Sequence, residues 1–213
     1  MKNEIEVMKN GTTTLAIKCK DGVVLAGDKR ATAGFIAAKK VTKVVPITDQ
    51  YVLTTAGNVS DIQLMIKLSR AEIALKDMQV HRKSNAREVA NMIAGLNYSN
   101  IRKMSMIPGV ASFILGGVDE EGFHVYSIEP DGSAMEFDDY YSDGSGSLFA
   151  FGVLEAEYKK NMSVEDGIKL ALRAINAAVQ RDPNSGNGID IATITDKGVQ
   201  HIMTKELDQR LDA

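Results

Sequence analysis

The chain has 213 residues, 44% of them hydrophobic and 25% charged, with a formal net charge of −3. That is ordinary globular composition, with enough apolar material for a full core in one large domain and no need of a metal or disulfide staple. No basic block supports a nucleic-acid groove, no run approaches the roughly 18 apolar residues of a membrane span, and the single cysteine, Cys19, has no internal disulfide partner, which fits a reducing cytosol.

The first 11 residues, Met1 to Gly11, are polar and charged and lack the apolar stretch of a secretory signal. They give way abruptly to β-formers, Thr12 to Cys19. Asp21-Gly22 predicts a turn, and Val23 to Gly27 the returning, buried strand of a hairpin. Within the first of these strands Cys19 reads as a buried structural thiol. Further strands fit Phe35 to Ala38, Lys43 to Ile47 and Tyr51 to Ala56. Five strands before any helix argue against a doubly wound parallel sheet.

Two helices follow. The first opens on Ser60-Asp61-Ile62-Gln63, a capping-box pattern, with apolar rows Ile62/Ile66/Ile73 and Leu64/Leu68/Leu75 that predict a broad buried face. The second spans about Ser84 to Lys103 and carries Val89, Met92, Ile93 and Leu96 at helical spacing, with the methionines read as core packing. Strands return at Ala111 to Val118, Gly122 to Glu129 and Ala134 to Tyr141. Gly144-Ser145-Gly146-Ser147 then leads into a helix over about Leu148 to Lys159. Ser163 to Asp166 caps a fourth helix whose face is Ile168, Ala171, Leu172, Ile175 and Val179. After the loop Asp182 to Gly188, Ile189 to Thr195 and Val199 to Met203 are the last strands. Two β-sheets packed face to face, with helices outside, would bury all these faces at once.

Chemistry is legible first at Gly11-Thr12. A threonine hydroxyl is a poor nucleophile alone, but a threonine at a chain terminus carries its own general base, an α-amine with a reference pKa of about 7.7–8.0. Gly11 supplies the flexibility that a strained self-cleavage turn needs. Taken alone, the boundary reads more readily as a disordered tail meeting an edge strand, since Gly-Thr-Thr is a common spelling; only the wider set of motifs favours the nucleophile. His81, His124 and His201 are scattered, without the spacing of a metal site or a local triad signature.

Thr12-Thr13-Thr14, Gly27-Asp28-Lys29-Arg30-Ala31-Thr32, Thr55-Ala56-Gly57 with Asp61, Gly144-Ser145-Gly146-Ser147, Phe151-Gly152-Val153-Leu154-Glu155 and Arg181-Asp182-Pro183-Asn184-Ser185-Gly186 together resemble the β-subunits of the 20S proteasome, archaeal type. The similarity runs from Gly11 to the final strand, in the family's order and spacing. It implies an α+β fold, the four-layer αββα sandwich of N-terminal-nucleophile (Ntn) hydrolases. It also implies a leader, residues 1–11, removed autocatalytically between Gly11 and Thr12, followed by one catalytic domain, residues 12–213.

Residue by residue, the resemblance makes Thr12 the nucleophile, Lys43 the active-site lysine and Asp28 its acidic partner. Ser145, Asp182 and Ser185 become the polar cluster around the nucleophile, and Gly57 the oxyanion amide. Between Thr32 and Lys43 the chain is about a residue shorter than many relatives, which leaves Lys40 as the alternative lysine. Lys43 is preferred because it directly precedes Val44-Val45. Ala31, Val41, Val45, Thr55, Val59 and Gln63 match the specificity pocket. None is charged, so neutral, apolar residues are expected before the cut, the chymotrypsin-like mode. Thr32 and Gly57 would pair with an extended substrate backbone.

The implied activity is threonine-type endopeptidase action on unfolded polypeptides, with no cofactor, in the cytoplasm. The implied assembly is a barrel of two α and two β heptameric rings, with further α- and β-subunits and an unfoldase ATPase as partners and no nucleic acid or membrane. Two alternatives stay open: a catalytically silent β-subunit, and the bacterial two-ring ATP-dependent relative.

Overall fold

A computed structural model describes residues 11–206. Twelve strands and four helices follow the chain in the order β1 (Thr14–Cys19), β2 (Gly22–Asp28), β3 (Ala31–Thr32), β4 (Ile36–Ala38), β5 (Val44–Pro46), β6 (Tyr51–Gly57), α1 (Val59–Val80), α2 (Ala86–Arg102), β7 (Ala111–Asp119), β8 (Gly122–Ile128), β9 (Ala134–Phe137), β10 (Tyr140–Asp143), α3 (Ser147–Glu157), α4 (Val164–Arg181), β11 (Gly188–Thr195) and β12 (Gly198–Glu206). One antiparallel sheet has the order β10-β1-β2-β11-β12 and the other β5-β6-β7-β8-β9, with β3 and β4 forming a small separate ribbon.

The period-2 pleat sorts the side chains into layers. In the first sheet Leu15, Ile17, Val24, Ala26 and Ile191 face α3 and α4, meeting Leu154, Leu170, Ala174 and Ile175. Their neighbours Ala16, Val23, Leu25 and Ile194 face the second sheet and meet Val52, Ile114 and Val125. On the far side Leu53, Phe113, Leu115 and Ile128 pack against Ile66, Ile73, Val89 and Ile93 of α1 and α2. Three apolar clusters thus separate four layers, the αββα sandwich. Gly116 of β7 shows how close the sheets come: a Cβ there would lie 2.7 Å from Leu25 Cδ1 of β2.

Several local expectations need correcting. The predicted strand Ala134 to Tyr141 is two strands in different sheets, because Asp138-Asp139, poor strand formers, break it. β9 completes the second sheet and β10 pairs with β1, with Ile17 opposite Tyr140. The capping box at Ser60 does not form. Helix α1 begins one residue earlier at Val59, its N-cap Asn58 makes no side-chain cap bond, and Asp61 instead accepts the Val110 amide at 3.1 Å.

Of the two apolar rows predicted on α1, Ile66 and Ile73 are buried, while Leu64 and Leu75 are nearly half exposed. A capping box does exist at α2, between Asn85 and Glu88. The methionines divide: Met65 is buried and Met92 packs against the helix–sheet core, but Met78, Met104, Met106 and Met135 are exposed. Cys19 is buried against α4, where a Cβ on Gly167 would lie 2.7 Å from its sulfur, and desolvation pushes its thiol up to about 12.

Candidate active site

The ends of both sheets converge on the Gly11–Thr12 peptide bond. Thr12 lies just before β1, Asp28 closes β2, Lys43 stands one residue before β5, Ser145 follows β10, and Asp182 is the C-cap of α4. Thr12, Lys43, Asp28, Asp182 and Ser185 are all buried, so the charges and hydroxyls among them must satisfy one another.

Asp28 is the hub. Its Oδ1 accepts Lys43 Nζ at 2.6 Å and the Thr13 amide at 2.8 Å, and its Oδ2 accepts the amides of Arg30 at 2.9 Å and Gly186 at 3.0 Å. Burial holds the Lys43 ammonium below the ordinary lysine value, opposed by the Asp28 carboxylate against it. Lys43 Nζ also lies 3.3 Å from the Gly11 carbonyl oxygen, to which the Thr12 hydroxyl donates at 2.8 Å. The Thr12 hydroxyl and a buried cation therefore meet at one carbonyl. Lys40, the alternative lysine, is exposed and pairs with Glu206 at the surface.

On the other side of Thr12, Ser145 Oγ accepts the Thr12 amide at 3.2 Å and donates to Asp182 Oδ2 at 2.6 Å. Ser185 Oγ donates to the same carboxylate oxygen at 2.6 Å, and the Asn184 amide takes Oδ1 at 3.1 Å. With the Gly11–Thr12 bond intact the Thr12 nitrogen is an amide and cannot act as a base. Freed as an amine, that nitrogen would already sit on a hydroxyl anchored to a carboxylate. The arrangement can stabilise an oxyanion on Gly11, accept a hydroxyl proton and hold an amine beside its own hydroxyl.

A protein-family model described as "Proteasome subunit" matches residues 8–194. The chain is 40% identical to the proteasome subunit beta of Ferroglobus placidus over 95% of each chain, and 39% identical to that of Archaeoglobus fulgidus over 97% of this chain and 95% of the relative. It is 41% identical to the proteasome subunit beta of Methanocaldococcus jannaschii, over 98% of this chain and 92% of that one. The chain belongs to the proteasome β-subunit family.

Within this β-subunit fold the remaining residues expected at the site are distributed as follows. Gly57 ends β6 opposite Ala111 with φ +118°, where a Cβ would lie 2.4 Å from the Val110 carbonyl oxygen, so the neighbouring strand alone already demands glycine. Thr32 is buried, and its hydroxyl accepts the Gly11 amide at 2.9 Å, a side-chain hold on the residue before Thr12. Thr55 is buried, Ala31, Val41 and Val45 are half-buried, and Val59 and Gln63 on the first turns of α1 are exposed. Val45 packs against the helix–sheet core. Gly11 is required for space: a Cβ there would lie 1.7 Å from Asn184 Cβ, inside the loop that carries Ser185.

Three contributors lay outside the sequence reading. Arg30 donates to the Asn187 side-chain oxygen at 2.8 Å and the Pro183 carbonyl at 2.7 Å, pinning the loop between Asp182 and Gly188. Lys29 reaches both oxygens of Asp190 at 2.8 Å, a buried ion pair that ties β2 to β11 behind the site. The Thr13 hydroxyl lies 2.6 Å from Ser185 Oγ. Arg30 and Lys29 stand inside the quoted motif beside Asp28, and two cations following a buried strand are the signal that could have found them.

Proposed function

We propose that the chain is a threonine-type endopeptidase subunit of the 20S proteasome core, activated by self-cleavage between Gly11 and Thr12. The observation that carries this reading is the convergence of the Thr12 hydroxyl and the Lys43 ammonium on the Gly11 carbonyl oxygen, at 2.8 and 3.3 Å.

In the self-cleavage step Thr12 Oγ1 forms a bond to the Gly11 carbonyl carbon. Negative charge develops on the carbonyl oxygen facing Lys43. Collapse breaks the C–N bond, the nitrogen takes up the proton, and Gly11 is left as an ester on Thr12. Water then hydrolyses that ester and releases residues 1–11. In turnover the freed amine accepts the Thr12 hydroxyl proton as the oxygen attacks a substrate carbonyl. Gly57 N–H and Lys43 supply the electrostatics, the leaving amine departs protonated, and water cleaves the threonyl ester.

The uncharged set Ala31, Val41, Val45, Thr55, Val59 and Gln63 supports a neutral, apolar preference before the cut, and Thr32 and Gly57 hold the extended substrate. Family membership supports assembly with α- and other β-subunits into a four-ring barrel. Unfolded polypeptides in the cytoplasm are the substrates, fed by an unfoldase ATPase.

Thr12→Ala tests this reading in assembled particles, by the mass of the N-terminus and by hydrolysis of a fluorogenic peptide with an apolar residue before the cut. The expected result is retention of residues 1–11 and loss of turnover. Undiminished hydrolysis would remove threonine from the mechanism. A wild-type chain that keeps Met1 inside assembled rings would make this a silent subunit.

A further inference from the structure

We propose that Thr13, the residue after the nucleophile, is a positioning residue whose hydroxyl fixes the donor sense of the hydrogen-bond circuit that holds the Thr12 nitrogen. The inference rests on the reading of Thr12 as nucleophile and adds a residue to that same site.

Thr13 has no exposed surface. Its main chain is clamped to the hub of the site, with N–H to Asp28 Oδ1 at 2.8 Å and carbonyl to the Asp28 amide at 3.0 Å. Its side chain is therefore delivered to one place, 2.6 Å from Ser185 Oγ. Proton counting settles which of the two hydroxyls donates. Ser185 has one proton, and at 2.6 Å from Asp182 Oδ2 that proton belongs to the carboxylate, which has none to return. Thr13 must then be the donor, and Ser185 its acceptor.

The same reasoning applied to Ser145 gives its proton to Asp182 and a lone pair to the Thr12 nitrogen. The circuit reads Thr13 to Ser185 to Asp182, met from the other side by Thr12 N–H to Ser145 to Asp182. The covalent Thr12–Thr13 bond closes it. Every hydroxyl has a single sense, and a chain of this kind strengthens each member by polarisation.

An independent observation comes from the Gly-Ser-Gly segment. A Cβ on Gly146 would lie 2.0 Å from Thr13 Oγ1 and 3.1 Å from both Ala178 Cβ and Asp182 Oδ2. Gly146 shows no positive φ that would demand glycine on conformational grounds. Its missing side chain is the space that the Thr13 hydroxyl occupies.

Without the Thr13 proton, Ser185 Oγ loses its donor and its own bond to Asp182 weakens. More negative charge then stays on the carboxylate, which favours the protonated form of the freed α-amine and disfavours it as a base. The effect appears in the chemical step and in its pH dependence, because the Thr13 hydroxyl lies against Ser185 and Gly146.

The test compares Thr13→Val, isosteric without the hydroxyl, with Thr13→Ser, which keeps it, both as full-length chains in assembled particles. Turnover is normalised by mass spectrometry to the fraction of chains that begin at Thr12. For Thr13→Val, kcat on a fluorogenic peptide falls roughly 3- to 10-fold, the scale of one neutral hydrogen bond, with KM unchanged and the acidic limb of the kcat profile moved to higher pH. Thr13→Ser restores kcat and the profile. Gly146→Ala, which drives a methyl group into the place of the hydroxyl, is the second variant, and it reproduces the lower kcat and the displaced acidic limb even where Thr13→Val sheds no leader. A Thr13→Val or Gly146→Ala particle with wild-type kcat and pH profile overturns the assignment, as does failure of Thr13→Ser to restore them. An active Thr12→Ala particle instead overturns the nucleophile itself, so the two failures are distinguishable.

Discussion

Asp28 and Lys43 form a buried pair at 2.6 Å, yet their removal is expected to have very unequal consequences. Lys43→Met takes away the ammonium and fills the stem's volume. Asp28 then keeps three amide donors, from Thr13, Arg30 and Gly186. The cost is at most that of breaking a buried ion pair, roughly 3–5 kcal/mol, and the amides bring it to the lower end. Asp28→Ala strands those three buried amides and the ammonium together. Three unsatisfied donors at about 1–3 kcal/mol each, plus the unpaired charge, come to roughly 6–14 kcal/mol. That is of the order of a whole domain's stability, about 5–15 kcal/mol. The expected result is a soluble, folded Lys43→Met chain with a lowered urea midpoint and an Asp28→Ala chain that does not fold. Asp28→Asn falls between, because its amide group necessarily faces donors at one of the two former oxygen positions. Circular dichroism through a urea series on the purified chains, all in the same assembly state, measures the order. An Asp28→Ala chain as stable as Lys43→Met, or more so, would refute the hub argument.

Two further outcomes follow from the same structure. Gly11→Ala places a Cβ 1.7 Å from Asn184 Cβ, so Gly11 cannot sit where the carbonyl meets Thr12 and Lys43; leader release, followed by mass, is expected to slow at least 10-fold, while particles already carrying a free Thr12 turn over normally. Cys19, whose burial pushes its thiol up from an ordinary 9.0 to about 12, should resist alkylation at pH 8 in the folded chain and react fully in urea. Its folded pKa is raised, so the stabilisation it contributes is complete below pH 9 and lost as pH rises through about 12, and Cys19→Ser should flatten that part of the stability profile.

The layer architecture was legible because the pleat and the helix repeat record burial directly in the sequence. Val23 to Gly27 and Ala111 to Val118 read as near-continuous apolar runs because both faces of those strands are covered, one by helices and one by the opposing sheet. The failures have equally local causes. Asp138-Asp139 was submerged in a longer β-rich run, although two adjacent carboxylates are where a strand changes sheets. Ser60 and Gln63 spell a capping box, but the positive φ of Gly57 turns the chain early enough for the helix to start at Val59, leaving Ser60 inside its first turn. At the site, the carboxylates, Lys43 and the serines could be placed by motif. Thr13 could not, because nothing in the spelling Thr-Thr-Thr distinguishes the second residue from the third. Only the structure separates them: Thr13 Oγ1 faces Ser185, whereas the buried Thr14 Oγ1 has no hydrogen-bond partner among the described residues.

The position of Asp28 also constrains the order of events. Its four bonds join the end of β2, Thr13, the loop behind Asp182 and the lysine before β5, so they draw on both sheets. They are all in place while the Gly11–Thr12 bond is still intact. The buried cation and carboxylates are therefore organised by folding and do not depend on cleavage. What cleavage changes is one nitrogen, from an amide that Ser145 merely accepts to an amine that can take a proton. On the proposed mechanism, a site assembled in this way would confer reactivity on Thr12 only after both sheets have closed, because an unfolded or half-packed chain has neither the ammonium at the carbonyl nor the carboxylate behind the serine. On the mechanism proposed above, self-cleavage is then coupled to completion of the fold through the bonds that Asp28 makes.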